Sequence, residues 1–202
     1  MIRNRKLNAI LQNFILVVIS STVPAFGIIF LWLFSTKIDT MMTDLWNKII
    51  YFIFVLVGIW FIDKINDTNE GIGVKNYKNS FISVFIFGVI MVSVFSYLKD
   101  EVLWRIIILV ITYILVGISE EILYRSYMIN SLKDSGFSFW HVNLIQAVIF
   151  AFVGHYGLSL TDNLVFRLPF GLIFGLLTRK IKSIVILGEI HAMYDLILWF
   201  YF

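Results

Sequence analysis

The stretch Glu120-Glu121-Ile122-Leu123-Tyr124-Arg125 follows directly on the apolar run WRIIILVITYILVG. A charge at the centre of a bilayer costs roughly 3 kcal/mol on insertion scales, so three of them together call for a use. On a helix, Glu121 and Arg125 are i,i+4 neighbours with the acid first, the favourable order for a pair. Glu120 lies about 100° further round the helix and has Tyr124, not a base, at i+4. That leaves Glu120 free to face another element, and a free carboxylate beside a substrate is a general-base candidate. His155, in FAFVGHYGL, is flanked by Gly154 and Gly157, which allow close backbone approach. His191 and Asp195, in GEIHAMYDLILW, are again i,i+4 and share one face. Each feature has a plain structural reading by itself: a snorkelling helix end, an interior imidazole, a hydrogen bond between helices. Acids and imidazoles on three separate apolar segments are explained more economically by convergence on one cavity, which makes a proton-handling or hydrolytic site the working expectation.

The elements that must hold these groups are membrane helices. Of the 202 residues 60% are hydrophobic, 17% aromatic and only 14% charged, against about a quarter charged in soluble domains. The composition predicts an all-α, polytopic helical bundle of about seven transmembrane helices. Their expected ranges are 11–34, 46–62, 80–98, 103–124, 141–160, 164–178 and 183–201, each a run of the length a bilayer requires. One membrane-embedded domain, 1–202, is expected, with 1–98 as peripheral N-terminal helices and 99–202 as the core that carries the site. With the N-terminus in the cytoplasm, ten Lys/Arg fall on the inner side and five on the outer, the bias that membrane insertion selects. The expected localisation is therefore the cell membrane, multi-pass, N-terminus cytoplasmic. Counting residues along the helices puts the meeting point of Glu120, His155 and His191 in the cytoplasmic half. The net charge of +3 needs no nucleic-acid partner, since basic loops are what topology demands. The absence of cysteine excludes disulfides and thiolate metal sites. The GIG of the 63–79 loop lacks the third glycine and a preceding strand, so it is no phosphate cradle. Glu189 lies on a different face from His191, and an interfacial ion pair with Arg179, Lys180 or Lys182 is its expected role.

The order Glu-Glu-x-x-x-Arg, a Phe-rich segment with His, then His-x-x-x-Asp resembles the CAAX-prenyl endopeptidase and bacteriocin-processing (Abi) family of intramembrane proteases. The first motif matches in full at Glu120, Glu121 and Arg125, and the resemblance covers about residues 103–199. It implies an endopeptidase that hydrolyses a peptide bond in a membrane-associated or lipid-modified substrate through a glutamate-activated water. Peptide pheromone or bacteriocin maturation, or self-immunity, would be the setting. In that scheme Glu120 is the base, His155 helps hold the water, and His191 with Asp195 stabilises the oxyanion. Glu121 and Arg125 support them. No cofactor is favoured; the family's description as metal-dependent also allows zinc, with Glu120, His155, His191 and Asp195 as the ligand set. The implied partners are membrane lipid and a peptide or protein substrate in the membrane, with the oligomeric state open. Two positions depart from the pattern. Ala151 stands four residues before His155 where the family has Phe, with Phe150 and Phe152 on either side. Asp195 stands where Asn is common, and an ionised Asp accepts hydrogen bonds without donating them, so it would orient His191. Two other readings stay open: a non-catalytic immunity or regulatory scaffold of the same family, and a small proton-coupled transporter, for which inverted repeats are lacking.

Overall fold

The computed structural model describes residues 2–34, 40–66, 77–99 and 101–201, with the side chains of 2–4, 25–34, 66, 77–78 and 201 outside that description. Seven helices follow one another and no strand occurs among the described residues: α1 (Ile2–Phe34), α2 (Thr40–Asn66), α3 (Tyr77–Leu98), α4 (Leu103–Asp134), α5 (Phe139–Gly154), α6 (Leu160–Leu177) and α7 (Ile184–Tyr201). Among the described residues, five segments are long and apolar enough to cross a membrane: Arg5–Pro24, Thr40–Ile65, Asn79–Leu98, Leu103–Asp134 and Leu160–Leu177. The fifth helix is apolar but shorter. The chain is an all-α polytopic bundle.

Two boundaries differ from those expected in ways that matter. The fourth span continues past 124 to Asp134, so Glu120 sits near the middle of α4 and not at a helix end. The fifth span ends at Gly154, and His155 is the first residue beyond it, with φ −116° and ψ 36°. Near both places the helix changes type, which hydrophobic patterning does not report. Residues Glu121–Met128, Phe150–Gly154 and Asn163–Arg167 are π-helical, with i→i+5 bonding in place of i→i+4. The third of these stretches precedes Pro169, whose missing N–H leaves the preceding turn a carbonyl short of a partner.

α4 is the axis of the bundle, packing against α2, α3 and α7, while α5 packs on α6. Lipid offers apolar side chains no advantage in leaving it, so helices in a membrane associate through close packing of small residues. The α4–α7 contact is of that kind. A Cβ at Gly117 would lie 2.9 Å from the backbone nitrogen of Ala192, and one at Gly188 would lie 2.8 Å from the Cα of Ile118. Only glycines allow this approach, and it carries the 120–121 stretch directly across from His191. The buried core beside it holds Ile122, Leu123, Tyr124, Tyr127, Met128, Phe150 and Leu187. Glu189, expected in an interfacial ion pair, is instead buried and faces Ser83 on α3.

Candidate active site

Glu121 is the hub of a buried ionic cluster. Its Oε1 is 3.2 Å from Nη1 of Arg125, and both side chains have no exposure. The same oxygen accepts from Nδ1 of His191 at 2.9 Å, 70 residues away in sequence. The guanidinium of Arg125 also lies 4.4 Å above the Phe150 ring, a cation–π contact with α5. Helical spacing separates Glu120 from Glu121, and the two acids do diverge: Glu120 turns to the opposite nitrogen of His191, with Oε2 3.6 Å from Nε2. Asp195 completes the ring, its Oδ2 3.5 Å from the same Nε2. His191 is fully buried, held between α4 and the rings of Phe170 (4.7 Å) and Phe174 (5.6 Å).

One member of the cluster is missing from the motifs. Nη1 of Arg167, at the end of the α6 π-helical stretch, lies 3.6 Å from Oδ1 of Asp195. Sequence reasoning counts Arg167 only as an outer-side topology charge. The signal that could have found it is Asp195 itself: a membrane-embedded acid demands a base, and Arg167 precedes the apolar run of α6. With it the cluster holds three acids, Glu120, Glu121 and Asp195, beside two guanidinium groups, Arg125 and Arg167, and the imidazole of His191.

His155 is held by its own helix. Its Nδ1 donates to the carbonyl of Phe150 at 2.9 Å, and because a carbonyl only accepts, Nδ1 carries a hydrogen; in the neutral ring the lone pair is then on Nε2. The Nδ2 of Asn163, buried on α6, donates to the His155 carbonyl at 3.2 Å and pins the residue from outside. The π-helical geometry also accounts for the departure at Ala151. With one residue more per turn, the ring that packs on His155 is the one five positions back: Phe150, 4.6 Å between ring centroids.

A cavity of about 510 Å³ opens onto these groups, with Glu120, His155, Arg167 and Asp195 in its wall together with Asp44 and Lys48 of α2. A smaller one of about 130 Å³ touches Glu120 and Lys48 from the α1 side. Glu121 and Arg125 line neither and sit behind the wall. The Oε2 of Glu120 and the Nε2 of His191 are buried and face each other at 3.6 Å, just beyond hydrogen-bonding distance. The remaining wall comes from the start of α2, the end of α7 at Leu198 and Trp199, and Leu158 beyond α5. The cavity therefore opens away from the Lys133 end of α4, while Glu120 itself sits near the middle of that helix. Among the described residues no three His, Asp or Glu side chains are arranged to hold a metal ion, so the set Glu120, His155, His191 and Asp195 gives no ready zinc cradle.

One cavity wall thus carries the Glu120 carboxylate and the His155 imidazole together with Arg167 and Asp195. Residues 101–197 match the Rce1-like family, described as Type II CAAX prenyl endopeptidase Rce1-like. No curated protein and no solved structure matches the chain. The matched stretch runs from just before α4 into α7 and contains Glu120, Glu121, Arg125, His155, Arg167, His191 and Asp195. The chain is an all-helical, multi-pass membrane bundle whose residues 101–197, just under half of it, are similar to the Rce1-like family of CAAX prenyl endopeptidases.

Proposed function

We propose that the chain hydrolyses a peptide bond in a membrane-associated or lipid-modified peptide, with Glu120 as the base that activates water. A water between Glu120 and the bare Nε2 of His155 gives one proton to the Glu120 carboxylate while its oxygen adds to the scissile carbonyl. The carbonyl π electrons move to oxygen, and the oxyanion is met by His191. Both nitrogens of His191 face carboxylate oxygens, the arrangement an imidazolium satisfies, and its Nε2–H donates to the oxyanion. Collapse expels the amine, which takes the proton from Glu120 as the C–N bond breaks. Glu121 and Arg125 are positioning residues: Glu121 orients His191, and Arg125 balances Glu121 so that Glu120 keeps its own charge for the water. No step is routed through a metal ion.

The observation that carries this reading is the convergence of Glu120 and Asp195 on Nε2 of His191, at 3.6 and 3.5 Å, behind a cavity that Glu120, Asp195 and His155 line. A scaffold that only binds a partner gains nothing from embedding a cluster of titratable side chains, which are costly inside a membrane. Maturation of a peptide pheromone or bacteriocin, or self-immunity, is the setting we assign to such a substrate. The test compares cells expressing wild type, Glu120→Gln and His155→Ala at matched membrane levels, with membrane and secreted peptides read by mass spectrometry. Wild type alone is expected to yield a shortened peptide. Identical peptides from all three strains would overturn proteolysis and leave the scaffold reading.

A further inference from the structure

The cavity has a direction, and the charge pattern of the bundle says which side of the membrane that direction faces. Its wall draws on the first turns of α2 (Thr40, Asp44, Lys48), the start of α6 (Arg167), the end of α7 (Trp199) and Leu158 just past α5. Starts of even helices and ends of odd ones meet there, as they must in a bundle whose neighbours are joined by short connections such as 99–102 and 135–138. The mouth thus belongs to one end of the bundle, and each Lys or Arg outside the core can be assigned to that end or the other.

Of the described basic side chains, Lys48, Lys99, Arg105 and Arg167 lie towards the mouth end, and Arg5, Lys6, Lys64, Lys133, Arg179, Lys180 and Lys182 at the opposite end. Bases at both ends make contacts: Arg167 meets Asp195 and Lys99 stands over the Trp199 and Phe200 rings at the mouth, while Lys6 stands over Phe137 and Arg179 over Phe139 at the other end. What sets the opposite end apart is a dense basic run, Arg179-Lys180-Ile181-Lys182, in the connection between α6 and α7. Short loops rich in Lys and Arg are retained in the cytoplasm, and this rule counts bases, since acids contribute little.

We infer that the cavity opens to the extracytoplasmic face of the membrane, so that Glu120 and His155 meet a peptide segment presented from outside the cell and not from the cytoplasm. Granting the hydrolytic reading above, the substrates are then exported or incoming peptides whose scissile bond reaches the outer half of the bilayer. The orientation itself rests on the cavity and the charges alone and stands apart from whether the site cleaves anything.

The chain contains no cysteine, so single cysteines report their side of the membrane without background. Leu158→Cys in the cavity mouth, Tyr156→Cys beside it (64% exposed as tyrosine) and Lys180→Cys at the opposite end are introduced one at a time into the full chain. Spheroplasts of a bacterial host are treated with a membrane-impermeant maleimide before and after permeabilisation, and a denatured sample gives full labelling. At least one of the mouth cysteines is expected to label in intact spheroplasts to most of its denatured value, while Lys180→Cys labels only after permeabilisation. Mouth cysteines that react only in opened cells, or a Lys180→Cys that reacts in intact ones, would overturn the inference. Neither readout depends on activity, so a catalytically silent protein still reports its orientation.

Discussion

An aspartate at position 195 is chemically awkward in an oxyanion site, because its charge opposes the one that develops on the substrate. Arg167 answers that difficulty: one oxygen of Asp195 lies 3.6 Å from Arg167 and the other 3.5 Å from His191, so the acid links a guanidinium to the imidazole and does not face the substrate alone. Arg167 is a positioning residue whose importance depends on the acid. Arg167→Gln is expected to lower the turnover of the processed peptide roughly 100-fold, comparable to losing an oxyanion donor. In an Asp195→Asn background the same change is expected to cost less than about tenfold, since no charge is left to compensate. Equal losses in both backgrounds would show that the two residues act independently. Behind the wall, Arg125 and Glu121 form a pair with no solvent exposure, and removing one partner of such a pair costs about 3–5 kcal/mol. Arg125→Met should therefore lower thermal stability in detergent markedly, and Glu121→Gln in the same chain should recover much of the loss. The spacing of Glu121 and Arg125 is legible in sequence as a helical pair. The bond from Glu121 to His191 is not, because it joins positions 70 residues apart and depends on how closely α4 and α7 approach.

At the scale of elements, that approach is set by glycines. Gly117 and Gly188 leave no room for a Cβ, and the contact they make is what brings Glu120 and Glu121 to opposite nitrogens of one imidazole. Gly117→Val is expected to push α7 away, costing about 1–3 kcal/mol as overpacking does and abolishing processing along with it. Gly157, where an added Cβ would meet nothing within 4 Å, supplies the matched control: Gly157→Ala should leave both stability and processing unchanged. Thermal unfolding and peptide mass spectrometry on the same preparations check the pair. The π-helical stretches belong to this scale too. One begins at Glu121, one ends beside His155 and one ends at Arg167, so each widened turn re-aims a group of the site. Hydrophobic periodicity finds these helices but is blind to an extra residue in a turn. That is why the phenylalanine that packs His155 stands at 150, one place from where an α-helical reading looks for it.

At the scale of the molecule, composition alone was enough to read an all-helical membrane bundle, since 60% hydrophobic residues with 14% charged leave few other folds open. The motif-bearing residues were legible because embedded acids and imidazoles are too costly to be incidental. What composition could not supply was the side of the bundle on which they open, which needs the direction of a cavity and not a count of residues along a helix. Nor could it supply α2 as part of the site, whose Lys48 borders both cavities at Glu120. The whole arrangement serves one claim, that Glu120 is the base. It is tested most directly with purified wild type and Glu120→Gln in lipid nanodiscs, acting on the peptide that wild-type cells process, with initial rates read by mass spectrometry. A general base contributes roughly 10²–10⁴-fold, so the variant should fall by about that factor while its thermal stability stays near that of wild type. A Glu120→Gln protein that cleaves within about tenfold of the wild-type rate would contradict the assignment.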